Sequence, residues 1–322
     1  MRTVILGAAG MLGRKLADRL AREGTLAGEH ISALTLVDVV DAAAPAGAEM
    51  IVADLADPDV PRALIGPRPD VVFHLAAVVS GEAEADFEKG YRVNVDATRM
   101  LFDAIRAVDG YCPRLVFCSS IAVFGPPLPD TIGDDHAPTP ATSYGTQKAL
   151  AELLLSDYSR RGFFDGIAIR LPTICVRPGA PNLAASGFFS SIIREPLNGQ
   201  EAVLPVLESV RHWFASPRSA LGFLVHAAEL DPAALSTGRC VTMPGVSATV
   251  GEQIAALHRV AGDEAVRLIR REPQETVMRI VSGWPGSFDT RRAHELGFRA
   301  ESSFDEIVCA YIEDELRTGA AA

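Results

Sequence analysis

TVILGAAGMLG, from Thr3 to Gly13, is a short apolar run that breaks into a glycine turn and then into helix-forming residues. Thr3–Leu6 has the length and branching of a buried strand. Leu12, Leu16 and Leu20 follow at helical spacing in MLGRKLADRLAREG. Between them stand Gly7, Gly10 and Gly13, where the absence of Cβ atoms lets backbone N–H groups approach a pyrophosphate at the positive end of the helix. A GxxGxxG spacing alone is common. Its position directly between a strand and a helix is what gives it meaning.

Working outward, the strand–helix alternation continues. Apolar runs at 33–38, 50–55, 70–76, 114–120 and 164–172 read as strands, and 82–108 and 143–161 read as helices. Such alternation predicts an α/β fold, a Rossmann-type doubly wound parallel sheet. Beyond residue 175 the segment VRPGAPNLAASGFFSSIIREPLNG is rich in Pro, Gly, Ser and Asn, which predicts a smaller, irregular C-terminal substrate lobe. The expected division is a cofactor-binding domain over 1–175 with a return at about 215–240, and a substrate lobe over 176–214 and 241–322.

Composition narrows the partners. A net charge of −11 argues against nucleic acid or an anionic membrane surface. No apolar run reaches membrane-spanning length, and MRTVILGAAG carries no signal-peptide pattern. Five cysteines without a CxxC pair make no disulfide framework, so a cytoplasmic protein is expected. The seven histidines show no metal-ligand spacing, and no metal is expected. His74 reads as a packed strand residue, and His212-Trp213 is a weak signal of a recognition loop.

Asp38 ends the second strand, where a carboxylate can accept hydrogen bonds from both adenosine ribose hydroxyls. Asp41 lies close behind it and no arginine follows directly, which would repel a 2′-phosphate and favours NAD over NADP. Asp54 and Leu55 follow the third strand and are candidates for adenine contact. Tyr144 and Lys148 stand one helical turn apart and share a face. A phenol titrates near 10, and moving it to about 7 requires roughly 4 kcal/mol, the order that one contacting ammonium supplies in a partly buried site. Tyr144 would then take an alcohol proton as hydride leaves the carbon. With three lysines and five tyrosines in the chain, a YxxxK match by chance is roughly a one-in-twenty event. Ser119 and Ser120 close the fifth strand, where open α/β sheets bind their ligands, and a hydroxyl there can hydrogen-bond the reacting oxygen.

Taken together, GAAGMLG at 7–13, Asp38, ADL at 53–55, HLAA at 74–77, NVDAT at 94–98, CSSIAVFG at 118–125 and YGTQK at 144–148 resemble the extended short-chain dehydrogenase/reductase family, also called the NAD-dependent epimerase/dehydratase family. The resemblance implies Ser120, Tyr144 and Lys148 as the catalytic set, although the family's usual Tyr-Gly after the serine is here Phe124-Gly125. It implies NAD held by Gly7, Gly10, Met11, Leu12, Gly13, Asp38, Asp54 and Leu55. Leu75, Ala76, Ala77, Asn94, Ser119, Tyr144, Lys148, Pro172 and Ile174 complete that set. It also implies a homodimer through the helices at about 82–108 and 143–161, with Leu150, Leu153 and Leu154 as an apolar stripe.

Within the family, SYGTQKALAELLLSDYSRRGFFDG through IRLPTICVRPGAPNLAASGFFSSIIREPL resembles the sugar-acid dehydrogenases that use NAD to oxidise the C2 hydroxyl of D-erythronate to 2-dehydro-D-erythronate. Thr173 separates this reading from the nucleoside-diphosphate-sugar epimerases and dehydratases, which usually carry asparagine at that place. Uronate dehydrogenases carry serine there, and remain an alternative. Ser80, Ser120, Tyr144, Thr173, Asn182 and Arg194 are the expected substrate contacts. Arg177, Arg194, Arg211 and Arg218 are the available cations for an acid, with Arg194 favoured for its place near Asn182 and Ser186. A non-catalytic NAD-sensing scaffold is a third reading, against which intact Ser120, Tyr144 and Lys148 weigh.

Overall fold

In a computed structural model, residues 1–179, 186–235 and 238–317 are described. The strands that matter are β1 (Arg2–Leu6), β2 (Ala33–Asp38), β3 (Ala48–Val52), β4 (Val71–His74), β5 (Arg114–Ser120), β6 (Asp165–Leu171), β7 (Thr173–Ile174), β8 (Arg211–Ala215), β9 (Cys240–Thr242) and β10 (Val246–Thr249). Seven of them form one parallel sheet in the order β9-β6-β5-β4-β1-β2-β3. Residues alternate between two buried faces: Ile5, Phe73 and Val116 point to one side, and Val4, Leu6, Val72 and Leu115 to the other. Burial on both faces is why these strands read as continuous apolar runs.

The helices include α1 (Met11–Glu23), α2 (Ala97–Arg106), α3 (Ser143–Arg160), α4 (Gly187–Leu197), α5 (Pro217–Glu229), α6 (Val250–Arg267) and α7 (Phe304–Tyr311). α1 and α5 supply Leu16, Leu20, Phe223 and Leu224 to the first face. α2 and α3 supply Leu101, Phe102, Ala151 and Leu155 to the second. Strand order reverses between β1 and β4, and the crevice at their carboxyl ends is where such sheets take ligands.

Two expectations need correction. The helix expected over 82–108 is broken at Asp86, whose φ of −128° and ψ of 87° leave the helical region while its carboxylate caps Lys89 N. The chain then runs helically from Phe87 to Arg106 through a π turn at Arg92–Asp96. The segment expected to be irregular contains α4, because Phe188, Phe189, Ile192 and Ile193 fall at helical spacing and pack with Phe214, Ile254, Leu257 and Phe304 into a core of their own. Pro and Gly at its flanks masked that periodicity. Beside it, β7, β8 and β10 form a small sheet in which β8 pairs parallel with β7 and antiparallel with β10.

Candidate active site

The glycine turn sits in the crevice, and its glycines are required by space. Gly7 has φ +85°, and a Cβ there would stand 2.5 Å from Ala76 N, in the loop after β4. A Cβ on Gly13 would lie 2.2 Å from Gly7 O. Gly10 caps α1 without a side-chain hydrogen bond, and no acidic residue occupies the first turn, so the first N–H groups of the helix are left for an anion. Asp38 accepts from Ala9 N at 2.9 Å and Val40 N at 3.2 Å, which ties the end of β2 to the turn. These residues fit a dinucleotide: a cradle that any side chain would fill, an open helix terminus and a carboxylate on the neighbouring strand.

Around this cradle, several expected residues have other engagements. Asp54 pairs with Arg92 at 2.8 Å and accepts from Ala56 N at 2.9 Å, and the Arg92 hydrogen bond holds its carboxyl below the usual range. Leu55 is buried beneath. Asn94, on the π turn, accepts from Val78 N at 2.8 Å and donates to Val78 O at 3.0 Å and to Gln147 Oε1 at 2.7 Å. It therefore clamps the loop after β4, which carries Leu75, Ala76 and Ala77, to the helix bearing Lys148. Ser119 donates to Glu152 Oε1 at 2.5 Å, so its hydroxyl faces α3. Ser119 and Ser120 are successive strand residues, and their side chains point to opposite faces.

Ser120, Tyr144 and Lys148 converge. Ser120 Oγ accepts from Ala122 N at 3.1 Å and hydrogen-bonds Tyr144. Lys148 Nζ lies 5.8 Å from the centre of the Tyr144 ring and 4.6 Å from that of Phe117, and donates to Cys118 O at 2.8 Å. The lowering of the Tyr144 phenol expected from Lys148 is not found. Burial pushes it up to about 12, only partly opposed by the Ser120 hydrogen bond and the charge of Arg177. Lys148 in turn is drawn down to about 8, chiefly by burial. Desolvation outweighs the attraction expected from helical spacing alone.

Thr173 is half-buried on β7, with its hydroxyl 2.7 Å from His212 Nε2. His212 Nδ1 lies 3.0 Å from Pro285 O, which can only accept, so Nδ1 carries the proton and Nε2 accepts from Thr173. Burial holds His212 down to about 4, which keeps it neutral at pH 7. Thr173 is thus oriented with its lone pairs free to accept from a ligand hydroxyl. Pro172 and Ile174 are buried beside it. A cavity of about 290 Å³ lies between the loops at 126–132 and 282–287, with Pro285 on its wall. Ser80 begins the short helix Ser80–Ala85. Asn182 lies outside the described residues.

Arg194 is a correction. Its guanidinium donates to Glu195 at 2.6 Å, Ser191 at 3.2 Å and Arg177 O at 2.8 Å, so it braces the chain around Arg177 instead of awaiting an acid. Sequence reasoning also passed over Glu152, which sits one turn beyond Lys148. It binds Ser119 and, at 2.7 to 3.2 Å, Arg170 in a buried cluster. The i, i+4 spacing from Lys148 was its signal; His212, read with Trp213 as a weak sign of a recognition loop, lies instead on strand β8, and its pairing with β7 is what brings it to Thr173.

Comparison with known proteins agrees with this architecture. The model of the NAD dependent epimerase/dehydratase family matches residues 3–216. A D-erythronate dehydrogenase of Cupriavidus necator is 49% identical over 98% of both chains. Another from Haemophilus influenzae is 42% identical over 98% of this chain and all of its own. A crystal structure described as a nucleoside-diphosphate-sugar epimerase from Agrobacterium tumefaciens is 63% identical, covers 98% of this chain and 95% of its own, and superposes with a TM-score of 0.96. By the family model and by full-length likeness, the chain belongs to the NAD dependent epimerase/dehydratase family.

Proposed function

We propose that this protein oxidises the C2 hydroxyl of D-erythronate with NAD, releasing 2-dehydro-D-erythronate, NADH and a proton. The observation that carries the reading is likeness over nearly the full length to two D-erythronate dehydrogenases, at 49% and 42% identity. Thr173, oriented by His212 where sugar-nucleotide enzymes of the family usually carry asparagine, supports it. Gly7, Gly10, Met11, Leu12 and Gly13 would hold the pyrophosphate, Asp38 the adenosine ribose, and Lys148 the nicotinamide ribose. Bound NAD supplies the hydride acceptor and a positive charge. Ser120 hydrogen-bonds the C2 oxygen, and Tyr144 Oη takes its proton as hydride leaves C2. Ser80 and Thr173 would hold the remaining hydroxyls.

The division of labour assigns 1–175, with a return near 215–240, to the cofactor and the rest to the acid. Phe87, Leu150 and Leu153 are exposed apolar side chains on adjoining helices, which supports a homodimer through that face. Five free thiols suit the cytoplasm. No described helix is long and apolar enough to cross a membrane.

The test is NADH absorbance with NAD and a panel of D-erythronate, L-erythronate, both threonates, glucuronate and galacturonate. Turnover confined to D-erythronate is expected. Turnover with uronates alone would keep the chemistry and replace the substrate. A second reading, nucleotide-sugar epimerisation, has in its favour the description of the 63% identical structure. It requires no NADH from any acid and interconversion of a nucleoside-diphosphate sugar without added NAD.

A further inference from the structure

Four arginines lie in or against the interior around the site and sheet edge, and three are neutralised. Arg114 meets Asp165, Arg170 meets Glu152, and Arg194 meets Glu195. Arg177 pairs with no carboxylate among the described residues. Its side chain turns back toward β7, where Nε donates to Ile174 O at 2.9 Å, and Nη2 donates to Ser186 Oγ at 2.6 Å. Its own backbone is pinned by Ser190 Oγ on N and by Arg194 on O, at 3.0 and 2.8 Å. The guanidinium is therefore held in one orientation, with three of its five N–H groups lacking a partner among the described residues. A partly buried, immobilised and unneutralised cation is costly in a folded chain unless an anion arrives to meet it. The bond to Ile174 O places the guanidinium beside the residue that follows Thr173, whose hydroxyl meets His212, and its charge acts on Tyr144 and His212.

We infer that Arg177 is the seat of the substrate's carboxylate, an inference resting on the sugar-acid reading above. The planar fork suits a carboxylate, and the braces from Ile174 and Ser186 leave its outer edge for bidentate contact. Neutralising the acid there has a second effect. An unpaired substrate carboxylate beside Tyr144 would oppose ionisation of the phenol, and Arg177 cancels that field. The reacting C2 is bonded directly to the carboxyl carbon, so anchoring the acid also fixes the distance from C2 to Tyr144.

The test compares the full chain with Arg177→Met and Arg177→Lys, using NAD with D-erythronate and with its uncharged amide, D-erythronamide. The expected result for Arg177→Met is a loss of roughly 100-fold in kcat/KM for the acid, mainly in KM, with less than threefold change in the KM of the amide and of NAD. Arg177→Lys should fall between. Equal losses on acid and amide, or an acid KM within threefold of wild type, would overturn the inference. If Arg177→Met does not fold, Ser186→Ala, which frees Nη2, should raise the acid KM three- to tenfold and spare the amide; an unchanged acid-to-amide ratio would overturn it. Should wild type turn over no D-erythronate, the function reading falls on that result alone. Calorimetric titration with D-erythronate then decides Arg177: heat in wild type that vanishes in Arg177→Met supports the anion seat, and no heat, or equal heats, removes it.

Discussion

Tyr144 meets its proton problem through burial before it meets its solution. With the phenol pushed up to about 12, the base form is scarce at pH 7, and oxidation should accelerate as pH rises above 7 until Lys148, drawn down to about 8, loses its charge. The reverse reduction, in which Tyr144 gives its proton, should be favoured toward the acid side. Initial rates in both directions across that range check the sign. Tyr144→Phe should lower kcat by roughly 10²- to 10⁴-fold while leaving NAD binding within a fewfold. Glu152 makes a separate prediction at the same scale. It neutralises Arg170 and receives Ser119, all three buried. Glu152→Gln leaves a guanidinium without its counter-charge, and urea denaturation should show a loss of about 3–5 kcal/mol. Both residues lie on α3, one reading of YxxxK found the first, and only the neighbours across β5 and β6 revealed the second.

At the scale of elements, α1 and the turn before it act as one unit. The 2.2 Å approach of a Gly13 Cβ to Gly7 O means that Gly13→Ala must push the helix away from the turn. Calorimetric titration with NAD should show affinity down by roughly 10- to 100-fold, and thermal melts should show a lower midpoint. The π turn at Arg92–Asp96 is a second such device. It puts Asn94 where it can bridge Val78 and Gln147, so the cofactor loop and the catalytic helix move together. The strand and helix order of the first half was legible because a doubly buried parallel sheet writes itself as apolar runs. The break at Asp86 and the π turn were not. Each is set by one backbone conformation, and the flanking residues still carry helical spacing.

For the whole molecule, the exposed apolar face is the feature that a lone chain leaves unexplained. Leu153 is 69% exposed and Phe87 54%, on helices that otherwise pack well. Light scattering should give twice the 34.2 kDa chain mass for wild type. Leu153→Asp should return the single-chain mass with near-normal NADH production per site. A wild-type monomer would end the dimer proposal. The apolar cores on the two sides of the sheet and the one around α4, α6 and α7 meet at β7 and β8, where Thr173 and His212 are paired.

By itself the sequence determined the sheet, the glycine cradle and the Tyr144–Lys148 spacing, because each is a local pattern whose period or steric demand is written in consecutive residues. Thr173 was legible as a residue type, but its orientation by His212 across 39 positions was not. The same holds for the arginines. Sequence offered four arginines as available cations for an acid and favoured Arg194, since composition counts charges but not their counter-ions. Tertiary structure brings Glu195 to Arg194 and leaves Arg177 without an acid among the described residues, which is the ground for proposing Arg177. Pairing across space, and the desolvation that sets the state of Tyr144 and Lys148, belong to the folded chain alone.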